Sequence, residues 1–226
     1  MRFKTLLLWD MKFQARYGFY LLYGFLTVFY IVLLLSLPLS WKENAAAILI
    51  YSDPAAMGLF FMGAIILLEK SQRVTSFFAV SPLRVIEYVC SKVLSLSVIG
   101  MLVATVLAVA TNCRSLPLLL LGTFLSSVMF TLLGVIIATK ITSLNQFILA
   151  TVPIEIIAFV PAVLHLFKMT PAFLRIYPAN VCMDLIAGRD FSLIGLILTM
   201  ILIAVLFVVA YKCVGKMWQN QGGVKL

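Results

Sequence analysis

Charge is what this chain has least of: Asp, Glu, Lys and Arg together make up 11% of its 226 residues, where soluble domains carry about a quarter. Acid is scarcest, with 8 Asp and Glu against 17 Lys and Arg. A surface so poor in charge cannot face water over most of its area, and a water-soluble fold is excluded. Histidine occurs once, at His165, so there is no His-Glu-x-x-His zinc motif, and His165 reads as an interfacial residue rather than a ligand. No Gly-x-Ser-x-Gly elbow occurs either. The lone Gly-Lys pair, Gly215-Lys216, is followed by Met217 and has Ala210 where the first glycine of a phosphate-cradling loop stands. The chain therefore has no recognisable ATP-hydrolysing site. Its four cysteines, Cys90, Cys113, Cys182 and Cys213, lack metal-ligand spacing. Only Cys113 and Cys182 fall on one predicted side, where they read either as a disulfide or as small apolar packing residues. No metal site and no catalytic residue is expected.

What is present instead is apolar length. Hydrophobic residues make up 64% of the chain, and mean hydropathy is +1.15. A helix needs about 20 largely apolar residues to cross about 30 Å of hydrocarbon. Six such spans are read near 18–38, 54–68, 89–111, 117–139, 146–167 and 191–214, which leaves residues 1–226 as one all-α membrane domain with no room for a soluble one. In the second, shorter span Asp53 reads as N-cap and Pro54 as the first helical residue, which places Asp53 at the interface. The first span reads as a true crossing rather than a cleaved leader, because Asp10 interrupts the basic stretch before it and Ala45-Ala46-Ala47 lie far beyond it. With six spans, twelve of the 17 basic residues lie on the side of both termini and five, Lys42, Arg114, Lys168, Arg175 and Arg189, on the other. The positive-inside rule makes the richer side cytoplasmic in a cell membrane. That explains most of the formal charge of +9 without nucleic acid, whose recognition needs a clustered basic reading module.

Four segments outside or across this pattern carry information. Residues 2–16 form an amphipathic stretch. Arg2, Thr5, Lys12 and Arg16 gather on one side of a helical wheel and Phe3, Leu6, Leu7 and Phe13 on the other, with Asp10 and Gln14 interrupting the apolar arc. Such a helix lies in the interface with its basic side toward anionic headgroups. The connection 69–92 holds an apolar run, 74–80, broken at Ser81-Pro82. A mere linker does not need Phe77, Phe78 and Val80 in water, so a short helix that docks on another protein is expected. Pro82 is a candidate start for a second short helix. Glu155 is the one carboxylate read deep inside a span, on a helix interrupted by Pro153 and Pro161. It either lines a path for cationic cargo or is a protonated or paired structural group. The segment 169–190 is long for a connection. Asn180 reads as N-cap and Gly188 as stop of a short helix carrying Val181, Met183, Leu185 and Ile186, either gating or simply interfacial.

Glu69-Lys70 closing span two, the stretch through Thr75 to Ser81-Pro82, then Glu87-Tyr88 and Ser91-Lys92 opening span three resemble the signature of ABC-2 type permeases, the type V exporters. Asp53-Pro54 and Gly63 resemble the branch labelled as fluoroquinolone or drug exporters. The six-span layout extends the likeness over the whole chain. One departure is Gln72-Arg73-Val74, where family members often have a glycine before the threonine. The resemblance implies a non-catalytic permease that works with two cytoplasmic ATP-binding subunits and a second copy of itself or a similar permease. It needs no cofactor of its own, ATP and Mg2+ belonging to the partner. Glu69, Lys70, Phe77, Phe78, Ser81 and Pro82 would couple to the ATPase, and Asn180, Leu185 and Gly188 would shape a re-entrant outer gate; the place of Glu155 on the cargo path rests on its depth in the span alone. An amphipathic drug-like, peptide or lipid-like cargo is implied. The alternatives are a haem or glycolipid/polysaccharide export permease of the same class, or a self-powered secondary transporter, which would show midplane polar sites in repeated halves.

Overall fold

Six helices of the computed structural model are long and apolar enough to cross a bilayer. The structure describes residues 2–111 and 115–221, and no strand occurs among them. Cys113, Arg114 and Lys225, used above for a disulfide and for orientation, lie outside the described residues. Cys182 itself is a buried free thiol that burial pushes up to about 12.

Helix α1, Arg2–Arg16, precedes the first span, α2, Phe19–Ser36; Gly18 joins them in a left-handed turn at φ 80°, a conformation open to glycine at no steric cost. The second span differs from expectation. It is not a short helix capped by Asp53 but an apolar stretch from Trp41 to Ser71, made of α3, Leu39–Ile50, a π-helical turn, Tyr51–Ala55, and α4, Met57–Ser71. Proline removes an amide hydrogen and crowds the preceding turn. The π turn, with its wider hydrogen-bonding ring, accommodates Pro54 without ending the helix. Asp53 thus sits within the span, its carboxyl group facing Tyr30 of α2.

A seven-residue helix follows, α5, Val74–Val80, and then the third span, α6, Val85–Ala110. Pro82 starts no second short helix. Instead Arg84 is the N-cap of α6, and its backbone amide donates to the Glu87 carboxylate at 2.9 Å, which satisfies a donor the helix itself leaves open. Spans four and five are α7, Leu116–Lys140, and α8, Leu144–Leu166. After a 3-10 turn, Ala172–Ile176, come α9, Pro178–Ile186, and the sixth span, α10, Leu193–Gln221.

Helix α7 is the hub, packed against α4, α6, α9 and α10. Close approach to α4 depends on missing side chains. A Cβ on Gly134 would meet the backbone oxygens of Leu59 and Gly58 at 2.7 and 2.9 Å, and one on Gly58 would strike Thr131. Without water to drive helices together, such backbone-level packing is what holds membrane helices. Pro161 frees the carbonyl of Ile157, and the Tyr177 hydroxyl donates to it at 3.1 Å, so a neighbour supplies the bond that proline removes.

Candidate functional site

The end of the bundle that carries α1 and the close of α10 holds an ionic network that the chain's poverty of charge makes conspicuous. Asp10 of α1, Glu69 of α4 and Lys92 of α6 are 1%, 0% and 1% exposed. The Lys92 ammonium donates to Asp10 Oδ1 at 2.6 Å and to Glu69 Oε1. The Ser91 hydroxyl donates to Asp10 Oδ2, and the Tyr88 hydroxyl to Glu69 Oε2 at 2.6 Å. Each of the four carboxylate oxygens therefore accepts a hydrogen bond. Lys92 also stands 5.1 Å from the centre of the Tyr88 ring, an additional favourable contact for a desolvated cation. One turn further, Gln14 Nε2 donates to Ser95 Oγ at 2.9 Å. Buried charges persist only when paired and hydrogen-bonded, and here the pairing ties three separate elements together.

This explains the imperfect amphipathic pattern of α1. Asp10 and Gln14 share the face of Leu6 and Phe13 because that face lies on span three, not on lipid. Lys92, read as part of a loop, lies two turns inside α6. The signal available in the sequence was the single acid on the apolar arc of α1, together with a lysine at helical spacing from Tyr88 on the incoming span.

Around this network the residues read as coupling divide by environment. Lys70 points inward, its ammonium donating to the carbonyls of Ala138, Thr139 and Ile141 at 2.6, 3.1 and 2.9 Å; it closes the C-terminal end of α7, where open carbonyls favour a cation. Phe77 and Phe78 do not share a fate, since adjacent residues on a helix point about 100° apart. Phe77 is 67% exposed, whereas Phe78 is 8% exposed within an aromatic cluster with Trp9, Tyr88 and Trp218. The expectation that both rings face outward is corrected to Phe77 alone. Ser81 Oγ donates to Phe78 O at 2.9 Å and accepts from the Leu83 amide, which closes the chain behind α5 and leaves Pro82 at the surface. An apolar cavity of about 550 Å³ opens between α1 and this loop, lined by Leu6, Trp9, Val74, Phe77 and Leu83 among others. The missing glycine falls on a telling residue: Arg73, which precedes α5, has φ 57°, a left-handed backbone that costs a side-chain-bearing residue about 1–2 kcal/mol.

At mid-bundle, Glu155 is half-buried on the edge of the packed face of α8. The Tyr51 hydroxyl donates to Ala158 O at 3.3 Å, and its ring stacks on Phe159. That contact places the π turn, with Asp53, beside the turn of α8 that follows Glu155. Two carboxylates thus lie near one level of the bundle, and Asp53 reads as interfacial from sequence only because Ser52-Asp53-Pro54 imitates a helix start.

At the opposite end, α9 is buried along all of Ala179 to Ile186, so it is inserted among the spans and not laid on a surface. Asn180 is not its cap. It lies inside the helix and donates from Nδ2 to Leu174 O at 2.8 Å, while Tyr177 precedes the first turn. Gly188 does end it: φ is 64°, and the amides of Gly188 and Arg189 donate to the carbonyls of Leu185 and Asp184, the paired bonds of a glycine-terminated helix. Leu185 presses against Gly122 of α7, where no Cβ fits. His165 is bound and not merely interfacial, its ring nitrogens lying 2.9 Å from Thr170 Oγ1 and 3.0 Å from Asp184 Oδ2. Burial pushes the Asp184 carboxyl above the usual carboxylate range, against the downward pull of His165, Arg175 and Arg189. Arg189 bonds Leu166 O and Asn44 Oδ1, so α8, α9 and α3 meet here.

Comparison with known proteins follows the same lines. A model of the fluoroquinolones export permease protein family matches residues 1–221. Two curated relatives, named fluoroquinolones export permease proteins of Mycobacterium tuberculosis strains CDC 1551 and H37Rv, are each 27% identical over 164 residues, covering 72% of this chain and 69% of theirs.

Proposed function

The chain belongs to the fluoroquinolones export permease protein family, and from that premise we propose that it is the non-catalytic membrane subunit of an ATP-driven drug exporter. Its energy comes from ATP and Mg2+ held by two separate ABC ATPase subunits, which dock on the end that carries α1 and α5. The excess of basic residues on that side makes it cytoplasmic. A second copy of this permease, or a similar one, completes the path.

The observation that carries this reading is the Asp10–Lys92–Glu69 network, joined through Tyr88 to Phe78, the neighbour of the exposed Phe77. A push on α5 reaches α6 and α10 through Phe78, Tyr88 and Trp218, and reaches α1 and α4 through the paired charges. The block then shifts as a rigid body, a recognised mode of switching. Glu69, Lys70, Ser81 and Pro82 act within that block, and Phe77 is the contact. In membranes holding the permease and its ATPase, Phe77→Ser is expected to weaken docking by about thirtyfold, the scale of a buried aromatic anchor, with insertion intact. Phe78→Ser instead lowers the melting temperature. Cargo-stimulated ATP hydrolysis that is unchanged in Phe77→Ser overturns the docking role.

The cargo is an amphipathic, drug-like cation. Asp53 and Glu155 supply negative charge near one level of an otherwise apolar body, and ionisable groups at such depth face a cavity or a partner. Glu155 lines the path where the second copy covers α8, and the helix held by Asn180, Leu185 and Gly188 closes the outer end. Glu155→Gln is expected to depress efflux of a cationic dye more than that of a neutral one; equal efflux of both, with normal folding, removes Glu155 from the path. A haem or glycan cargo would show itself by its own stimulation of ATP hydrolysis. Uphill transport by the purified chain alone would make it a secondary transporter.

A further inference from the structure

Burial of Asp10 has a consequence for the other side of α1. That helix has a single acid, turned inward onto Lys92, so its exposed face shows Lys4, Lys12 and Arg16 with no carboxylate among its described residues. Trp9 and Tyr17 stand beside them, 41% and 47% exposed. Lys12 and Arg16 are four residues apart and so lie on one face of the helix. Neither forms an ion pair among the described residues. Together with Trp9, Phe13, Tyr17 and Gln72 they line a cavity of about 430 Å³. Gln72 Nε2 donates to Tyr17 Oη at 2.9 Å across it.

The depth of this cavity is set by two spans. Tyr17 is followed by Gly18 and the first residue of α2, and Gln72 is the residue that ends α4. The cavity therefore sits where one crossing begins and another stops, at the level of lipid headgroups. Tryptophan and tyrosine favour that zone, and basic groups within it draw anionic lipids.

The geometry points to a binding site for the phosphate-bearing headgroup of an anionic phospholipid, held between Lys12 and Arg16 and bordered by Trp9 and Tyr17. An acidic protein surface is the competing occupant. It is disfavoured by position, because the cavity beside Phe77 lies past Trp9 toward the start of α1, whereas Lys12 and Arg16 lie in the last turns of α1, next to the start of α2. The inference does not depend on what the permease carries or on which subunit powers it.

The test uses the purified full chain in neutral detergent, titrated with phosphatidylglycerol, phosphatidylcholine or inorganic phosphate and followed by native mass spectrometry. Phosphatidylglycerol is expected to bind about thirtyfold more tightly than phosphatidylcholine, the scale of two basic contacts near a membrane surface. The Lys12→Gln/Arg16→Gln double variant is expected to lose that preference, and Lys4→Gln to keep it. Equal binding of the two lipids, or an unchanged preference in the double variant, overturns the site. Displacement of the lipid by millimolar phosphate would mean that it takes a free anion instead. Loss of ATPase co-purification from the double variant, with lipid preference intact, would make this face a protein contact.

Discussion

Replacing Lys92 by methionine is expected to cost about 3–5 kcal/mol of stability, because removal of one partner from a buried ion pair leaves uncompensated charge behind. Here it leaves two carboxylates, Asp10 and Glu69, which both bond the same ammonium. Repulsion between them adds to desolvation, and one must take up a proton or the helices must part. Detergent-solubilised protein is expected to lose its monodisperse chromatographic peak or to melt well below the wild type. The triple variant Asp10→Asn/Glu69→Gln/Lys92→Met separates this cause from simple loss of packing. With no net charge left in the site, it is expected to recover most of the lost stability, since neutral replacement of a whole buried network is often close to neutral. A Lys92→Met protein that melts like the wild type would show that the network is not under the strain of burial described here. Charge reversal at Glu69 would place a second ammonium against Lys92, so it reports on folding before it reports on coupling. Phe77 is the variant that isolates coupling.

The second large effect is expected from one methyl group. Gly134→Ala puts a Cβ 2.7 Å from Leu59 O and 2.9 Å from Gly58 O. Both are main-chain atoms of α4 and cannot rotate away, so α4 and α7 must separate along their most intimate contact. Overpacking of this kind costs about 1–3 kcal/mol. Gly215→Ala is the control. Nothing lies within 4 Å of that position, and alanine in a helix interior is favoured over glycine by about 1 kcal/mol. The two variants should therefore move the melting temperature in opposite directions. A Gly134→Ala protein that folds with wild-type yield and stability would mean that α4 and α7 do not approach at backbone contact.

The places where sequence reading failed share a cause. A turn signal such as Ser52-Asp53-Pro54 is local, but whether proline stops a helix depends on what else can absorb the missing bond, and a π turn within the second span does so. Asn180 is a favoured capping type, yet Pro178 has already begun the helix two residues earlier, and the amide is used on Leu174 instead. For Phe77 and Phe78, hydrophobic exposure was inferred from adjacency. The helix they belong to has an inside, and only one of them is on it. Conversely, the glycine absent at Gln72-Arg73-Val74 was a legible anomaly, and Arg73 sits in the left-handed conformation that such a glycine would relieve.

From composition and run length alone, residues 1–226 already had to be an all-α membrane protein of six crossings, because hydrocarbon admits no unpaired backbone and leaves little choice of secondary structure. Gly188 as a helix stop and a short helix at 74–80 were equally local matters. Which polar residues meet was decided only in three dimensions. Asp10, Glu69 and Lys92 stand up to 82 positions apart, and no periodicity relates them. In a body with almost no charge to spare, desolvation makes any isolated ion costly, so packing α1 and α4 against α6 had to bring those three together.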